Sequence, residues 1–254
     1  MPTRITRAEY LDEYFDYEPG EHVLCVAPTG AGKSYFMWQL AEKAMEQNPS
    51  LRFVNFMPKP QDPTTVRNAE RLGLKETPTW PYRKKMFEQE PRGYVLWPKH
   101  PHGPDIDTDE RRSVVGAELR KGLEDQYWRG KSISFVDDAH SAATMMNLNP
   151  LIEETLTNGR AGGSAMWLAT QKPSGTHVSG GLTTFAYSSA SKMYFSKDND
   201  RRNLDRLSEI GAGFDPDELK TWIKNLEVFK INGENVGEFL YLDRAGYALR
   251  ILPW

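Results

Sequence analysis

Cysteine is nearly absent from this chain: its 254 residues include only Cys25. A single thiol cannot form a disulfide within the chain. Because Cys25 lies in an apolar run typical of a strand, we expect a small buried residue in a reducing compartment. No apolar run approaches the ~20 residues that a transmembrane helix needs, and the first ten residues lack the apolar core of a signal peptide. These absences predict a cytoplasmic protein without a membrane segment.

An excess of positive charge is also missing. The chain has 32 lysines and arginines and 35 aspartates and glutamates, for a net charge of −3. This argues against a protein that coats nucleic acid over a broad basic face. It still allows one that contacts a DNA backbone through a few residues per subunit. The five histidines, including His100 and His102, have no cysteine or acidic partners at metal-ligand spacing, so we expect no zinc.

A glycine-rich segment is present at residues 27–34, which read Ala-Pro-Thr-Gly-Ala-Gly-Lys-Ser. An apolar run at 22–26 precedes it and a helical pattern at 35–46 follows it. In a strand–loop–helix setting, Gly30 and Gly32 let backbone N–H groups point at phosphate oxygens, and the helix N-terminus attracts the same anion. The segment is therefore interpreted as a phosphate-binding P-loop.

The polar residues of this loop predict Mg²⁺ and ATP as ligands. Lys33 can reach the β- and γ-phosphates, and the Ser34 hydroxyl can ligate Mg²⁺. The first glycine of the G-x-x-x-x-G-K-S/T pattern is replaced by Ala27, which is a mild change. The predicted nucleotide-binding residues are Pro28, Thr29, Gly30, Ala31, Gly32, Lys33, Ser34 and Tyr35.

A second pattern, at residues 133–138, is an apolar run that ends in Asp137 and Asp138. This is typical of a Walker B strand, in which Asp137 would hold Mg²⁺ and Asp138 would polarise the attacking water. Glutamate is more usual at the second position, so the role of Asp138 is less secure. The alternative is a strand that ends at an acidic turn.

A third pattern begins with Asn-Gly-Arg-Ala-Gly-Gly at 158–163 and continues through an apolar strand at 165–171. Gln171, at the tip of that strand, could report whether a γ-phosphate is present; alternatively, it is a strand-end hydrogen bonder. Arg160 could project toward a neighbouring subunit, where an arginine is worth on the order of 10³–10⁵ in rate. Otherwise Arg160 is a cation at a helix C-terminus.

Alternating strand and helix patterns predict an α/β fold with a mainly parallel sheet covered by helices on both faces. Two strand patterns near the C-terminus, at 238–242 and 247–252, predict a β-hairpin around a turn at 243–246. Residues 57–110 carry most of the prolines and are interpreted as an insertion within one motor domain, 1–254. Ligands of such sheets bind at the carboxyl ends of strands, where the P-loop, Asp137 and Gln171 all fall.

The segment Gly-Arg-Ala-Gly-Gly, followed five residues later by Ala-Thr-Gln-Lys-Pro-Ser, resembles the corresponding segment of the FtsK/HerA superfamily of DNA-pumping ATPases. The C-terminal hairpin and the lead-in at 19–23 are similar too, and the resemblance covers roughly residues 19–56 and 130–252. It implies a RecA-like motor that forms a ring, a hexamer or pentamer, and hydrolyses ATP between subunits. By motif, Lys33, Asp138, Gln171 and Arg160 would be the catalytic residues.

A motor of this size, without the membrane spans and the DNA-reading winged-helix module of the bacterial chromosome translocases, resembles the viral genome-packaging ATPases. This resemblance implies a double-stranded DNA substrate and a capsid portal or vertex protein as a further partner. Such a protein would work in the host cytoplasm or attached to the virion. The alternatives are an ATPase of the same fold that powers protein or filament assembly or secretion, and a nucleotide switch or small-molecule kinase. Arg201 and Arg202 are rival candidates for the arginine that acts in trans. The loop 174–181, Lys59 and the cluster 83–85 are candidates for DNA contact.

Overall fold

The computed structural model describes residues 2–83, 89, 91–103, 105–173, 184–210, 213–231 and 233–254. Two features proposed for DNA contact, the loop 174–181 and residues 84–85, therefore lie outside the described residues. Within the described ranges, no helix combines the length and apolar character that crossing a bilayer requires.

Strands and helices alternate along most of the described chain. The strands are β1 (Thr3–Thr6), β2 (Val23–Val26), β3 (Arg52–Phe56), β4 (Lys75–Thr77), β5 (Gly93–Leu96), β6 (Ser132–Val136), β7 (Ser164–Thr170), β8 (Lys192–Phe195), β9 (Val228–Ile231), β10 (Glu234–Gly237), β11 (Phe239–Asp243) and β12 (Ala248–Leu252). The helices are α1 (Arg7–Glu9), α2 (Lys33–Gln47), α3 (Pro63–Leu72), α4 (Thr108–Arg129), α5 (Asn149–Asn158), α6 (Thr184–Ser189), α7 (Arg201–Ile210) and α8 (Pro216–Lys224). Short π-helical turns at Tyr10–Tyr14 and Ser141–Met145 and a 3₁₀ turn at Gly159–Gly162 complete the described elements.

Ten of these strands form one sheet in the order β1-β12-β11-β8-β2-β7-β6-β3-β5-β4. The strands from β8 to β4 in that order all run parallel, while β11 is antiparallel to both β8 and β12. The remaining two strands, β9 and β10, pair only with each other as an antiparallel hairpin. The predicted α/β, mainly parallel, RecA-like P-loop fold is confirmed, as is the C-terminal hairpin formed by β11 and β12.

The central strands are apolar on both faces because helices cover both sides of the sheet. All seven residues of β7 are buried, and alternate residues such as Trp167 and Leu168 enter two different cores. One core lies against α2 and the N-terminal segment, and the other lies against helices α4 to α8. Trp38 and Phe135, with ring centroids 5.3 Å apart, anchor α2 on the first face.

The helices begin and end where local chemistry satisfies their free backbone groups. Asp62 caps α3 by accepting hydrogen bonds from the N–H groups of Thr64 and Thr65, and Pro63 occupies the first turn. Gly73, with a φ of +66°, ends the same helix in the left-handed conformation. Asp107 and Asp215 cap α4 and α8 in the same way.

The sequence patterns located most of these elements but missed four strands. The segment that follows β1 is helical, as α1 and the π-helical turn Tyr10–Tyr14. The missed strands β1, β4, β9 and β10 have only three or four residues each. Strands β1, β4 and β10 are largely polar, and β9 (Val-Phe-Lys-Ile) is mostly exposed, so only pairing with neighbouring strands identifies them as strands. Within the Pro-rich segment 57–110, β5 and β4 extend the central sheet beyond β3.

Candidate nucleotide site

Four parallel strands end side by side and carry the candidate site. In the sheet, β7 lies between β2 and β6, and β3 follows β6. Because all four run in one direction, the residues just beyond them share an edge: Ala27 after β2, Gln171 after β7, Asp137 after β6 and Met57 after β3. This is the edge at which open α/β sheets bind ligands.

The loop after β2 has the backbone shape that phosphate binding requires. Gly30 and Gly32 have φ values of +80° and +79°, the left-handed region that glycine adopts without steric cost. Gly32 directly precedes α2, whose first turn has no side-chain cap, so its N–H groups remain available to an anion. Ala27 is fully buried and its φ is not positive, which explains why alanine is accepted there.

Lys33, Ser34 and Asp137 meet at the base of this loop. The Lys33 ammonium donates to the backbone carbonyl of Asp137 at 3.2 Å and lies 3.4 Å from its Oδ1. The Ser34 hydroxyl is 2.8 and 3.0 Å from the two oxygens of the same carboxylate, which is 1% exposed. A buried carboxylate is stable here because it is paired and hydrogen-bonded.

A hydroxyl and a carboxylate side by side are hard oxygen donors of the kind that Mg²⁺ prefers. No cluster of three or more His, Cys, Asp or Glu side chains occurs in the part of the chain described here. Two side-chain donors suit Mg²⁺, which keeps several waters and shares substrate phosphates instead of occupying an all-protein cage. Ser34 and Asp137 therefore fit the metal that the sequence predicts.

Asp138 is the second acid of the pair and lies beside Lys59, which the sequence suggested for DNA contact. Its Oδ1 accepts a hydrogen bond from the Ser141 N–H at 3.2 Å, and its Oδ2 is 3.7 Å from the Lys59 ammonium. Lys59 lies in the loop after β3 and lines the same pocket as the P-loop and Gln171. The structure thus brings Asp138 and Gln171 to the predicted site and adds Lys59 to it.

The pocket over the P-loop has a volume of about 450 Å³. Its wall opposite the P-loop comes from α3 and from the β9–β10 hairpin. An ion pair between Arg67 of α3 and Glu234 of β10, at 2.7 Å, joins these two walls. The lining residues, besides Lys59 and Gln171, are Pro28, Thr29, Gly30, Gly32, Lys33, Ser34, Tyr35, Thr64, Arg67, Asn68, Arg71, Gly233, Glu234 and Asn235.

The hairpin is pressed against the P-loop by backbone contacts. A Cβ on Gly32 would lie 2.7 Å from the Asn235 carbonyl oxygen, and a Cβ on Gly237 would overlap the carbonyl oxygen of Ala31. The Arg7 guanidinium donates to the carbonyl of Gly237 at 2.6 Å and holds the hairpin from its other side. Burial lowers the pKa of Arg7 to about 10, so the side chain remains a cation at neutral pH.

Cys25 is fully buried in β2, directly before the P-loop, as the sequence predicts. Burial raises the pKa of its thiol to about 12, so the group is a neutral thiol under physiological conditions. It acts as a packing residue below the site.

Arg160 lies far from the pocket of its own chain. It belongs to the 3₁₀ turn before β7, at the amino end of a seven-residue strand whose carboxyl end bears Gln171. At ~3.3 Å per residue, the two ends are roughly 23 Å apart. Arg160 is exposed and has no ion-pair partner among the described residues. Such a side chain can act on a nucleotide only if that nucleotide belongs to another subunit.

Arg201 and Arg202, the rival candidates, begin α7 after β8. The Arg201 side chain is 96% exposed, with Asp205 at 4.0 Å as its ion-pair partner. Neither arginine lines the pocket described above.

Sequence reasoning missed the second wall of the pocket. The helix near 64–72 was recognised, but nothing in its pattern indicated that Thr64, Asn68 and Arg71 face the P-loop. One available signal was its position: a helix that follows β3 must start at the same edge of the sheet as the P-loop. The β9–β10 hairpin offered no comparable signal, because its strands have only four residues each.

The sequence matches no protein-family profile and no curated protein. Solved structures do match it. The genome packaging NTPase B204 from Sulfolobus turreted icosahedral virus 2, in complex with sulfate, has a TM-score of 0.59 at 15% identity, over 94% of this chain and 98% of that chain. The same NTPase in complex with AMPPCP has a TM-score of 0.57 at 14% identity, over 94% of this chain and 100% of that chain.

The chain has the RecA-like P-loop fold of these NTPase structures. Two larger proteins share it. The cytoplasmic domain of the Thermomonospora curvata Type VII secretion ATPase EccC matches with a TM-score of 0.53 at 14% identity, over 98% of this chain and 28% of that chain. The pCW3 conjugation coupling protein TcpA, in a monomer form with ATPγS, matches with a TM-score of 0.53 at 12% identity, over 98% of this chain and 69% of that chain. These likenesses show the fold.

Proposed function

We propose that this protein hydrolyses ATP and uses the energy to move double-stranded DNA, as the packaging motor of a viral genome. The observation that carries the proposal is the likeness to B204, which spans nearly all of both chains, together with a pocket over the P-loop in which Lys33 and Ser34 contact Asp137. The likeness to EccC, by contrast, spans only 28% of that protein. In this proposal residues 1–254 form a single motor domain that works in the host cytoplasm.

In this proposal the P-loop, Asp138 and Gln171 act on the triphosphate. The triphosphate lies on the N–H groups of the P-loop and of the first turn of α2, with Lys33 against the β- and γ-phosphates. The oxygen of a water attacks the γ-phosphorus, and the bond from phosphorus to the β–γ bridging oxygen breaks. ADP leaves with that electron pair, and Asp138 accepts a proton from the water. Gln171 orients the water or contacts the γ-phosphate.

Ser34 and Asp137 would hold Mg²⁺ at the base of the P-loop. When bound, the ion neutralises the charge of the phosphates. Asp137 already accepts hydrogen bonds from Ser34, so the two oxygen donors need little rearrangement to share a cation.

A ring, hexameric or pentameric, follows from the position of Arg160 in this proposal. The guanidinium is exposed at the sheet edge opposite the pocket, where it can face the nucleotide of the next subunit in a head-to-tail ring. Arg201 and Arg202 remain rival donors. A capsid portal or vertex protein is proposed as the docking partner of such a ring.

The second candidate is an ATPase that moves protein instead of DNA. The secretion ATPase EccC has the same fold at a TM-score of 0.53, and the net charge of −3 is compatible with it. Double-stranded DNA separates the two candidates, because only a DNA motor should hydrolyse ATP faster when duplex is added. A rate that is unchanged by duplex DNA over a range of salt concentrations would favour the protein-moving ATPase.

Lys33→Ala tests the enzymatic proposal directly. We expect steady-state phosphate release to fall to background while circular dichroism remains that of the wild type. Lys33→Gln is a second variant that also lacks the ammonium but keeps a hydrogen-bond donor near the Asp137 carbonyl. It tests whether a loss of activity in Lys33→Ala comes from unfolding. Normal ATP hydrolysis by either folded variant would refute the assignment of this pocket as the catalytic site.

A further inference from the structure

Lys59 lies in the nucleotide pocket without a role in the P-loop ATPase chemistry described above. It follows β3, which neighbours β6 in the sheet, so its loop lies next to Asp137 and Asp138. Its backbone is fixed because its carbonyl accepts a hydrogen bond from the Trp97 indole N–H at 2.7 Å. The ammonium lines the pocket together with Thr29 and Gln171. A cation is thus held on the side of the pocket where strands β6 and β7 end.

The ammonium of Lys59 is paired with Asp138, the carboxylate that should activate water. Lys59 Nζ is 3.7 Å from Asp138 Oδ2, while Asp138 Oδ1 accepts from the Ser141 N–H at 3.2 Å. Both oxygens therefore face a positive or donor group. At 3.7 Å the ion pair lacks a hydrogen bond, and the Lys59 side chain is 34% exposed, so the ammonium keeps its donors for another partner.

A terminal phosphate would be a stronger partner than Asp138. It offers three oxygens and more negative charge than one carboxylate, and it would lie in the pocket that Lys59 lines. A nucleoside diphosphate lacks the γ-phosphate, so it offers no phosphate group beside Lys59.

We propose that Lys59 is a ligand of the γ-phosphate, supplied by the same subunit as the P-loop, and that it leaves Asp138 when a nucleoside triphosphate binds. Release of Asp138 from Lys59 frees one carboxylate oxygen to accept a proton from water. The residue thereby distinguishes triphosphate from diphosphate. This inference rests on the proposed function, because it assumes that the pocket takes ATP.

Lys59→Gln removes the charge and keeps most of the side-chain length. Lys59→Arg keeps the charge, and Lys99→Gln is the matched control, because it removes an exposed lysine of the same segment that does not line the pocket. The probes are ADP and the non-hydrolysable analogue AMPPCP, measured by isothermal titration calorimetry. Steady-state hydrolysis of ATP supplies kcat and KM.

For Lys59→Gln we expect affinity for AMPPCP to fall at least about tenfold, as the loss of a charge-assisted hydrogen bond predicts, while ADP binds as in the wild type. Its kcat should fall by about 10²-fold, the scale for removing one donor to transition-state charge. Lys59→Arg should recover most of both losses, and Lys99→Gln should match the wild type.

Two results would overturn the inference. Equal losses for ADP and AMPPCP would show that Lys59 acts only through packing, and unchanged affinity for AMPPCP would show that it does not contact the γ-phosphate. Failure of the proposed function has a different signature, because the wild-type protein itself would then bind neither nucleotide and release no phosphate.

Discussion

Replacing Gly237 by alanine would place a methyl group against the carbonyl oxygen of Ala31, where the β9–β10 hairpin meets the P-loop. Both contacting elements are backbone, so no flexible side chain can move aside. Since non-bonded heavy atoms settle near ~3.5 Å, one of the two segments must move by on the order of 1 Å. The hairpin is the freer of the two, because it is a two-stranded ribbon that pairs only with itself in the described structure.

The cost follows from what this movement disturbs. Overpacking of a closed contact costs typically ~1–3 kcal/mol of stability. If the hairpin shifts, the 2.6 Å hydrogen bond from Arg7 to the Gly237 carbonyl is also strained, and a hydrogen bond to a charged group is worth about 1.5–3 kcal/mol. We therefore expect Gly237→Ala to lower the free energy of unfolding by about 2–4 kcal/mol. Because the hairpin walls the pocket, affinity for ATP should fall about tenfold for every ~1.4 kcal/mol that the shift costs the bound state.

The assay combines urea unfolding followed by circular dichroism with titration of a fluorescent ATP analogue. Gly162→Ala is the control, because a Cβ there meets nothing within 4 Å and its φ is not positive. The reasoning is refuted if Gly237→Ala unfolds at the wild-type urea concentration and binds the analogue with wild-type affinity.

Two further predictions concern pH and assembly. Burial lowers the pKa of His22 to about 4, and its Nδ1 accepts the Met166 N–H at 3.0 Å, so the folded state binds fewer protons than the unfolded state between pH 4 and 6.5. The free energy of unfolding should therefore fall as pH drops through this range, by about 2 kcal/mol at pH 5 from this group alone. The free energy of unfolding, measured with urea at pH 7 and at pH 5, should therefore differ less in His22→Gln than in the wild type. An identical drop in both proteins would contradict the assignment. Arg160→Ala should lower ATP hydrolysis by on the order of 10³-fold or more, and mixing it with Lys33→Ala should restore part of it, because the second variant donates an intact arginine to the first. If mixtures stay inactive although both variants assemble, Arg160 does not act between subunits.

Much of the site was predictable because its parts are local. The P-loop combines glycines, a lysine and a serine in one short segment, and a buried strand must precede it for the loop to be held. Asp137 and Gln171 were located in the same way, since an apolar run that ends in a polar residue marks the end of a parallel strand. Because ligands of open α/β sheets bind at such ends, these two residues are expected to lie close together.

Residues that depend on non-local pairing were not predictable. Lys59 lies beside Asp138 because β3 neighbours β6, although the paired residues Phe56 and Val136 are 80 positions apart in the sequence. Glu234 reaches Arg67 only because the β9–β10 hairpin folds over the P-loop. From the amino-acid sequence alone, each of these charged residues is indistinguishable from a solvated surface residue.

The amino-acid order alone determined that this chain would be an α/β protein with a glycine-rich P-loop, an acidic strand end and a polar residue at the end of the neighbouring strand, because each depends on the chemistry of a few adjacent residues. Tertiary structure alone decided which charges surround the pocket over the P-loop and that Arg160 lies about a strand length away from it. The physical reason is that such distances depend on strand order and hairpin packing, which bring together residues far apart in the chain.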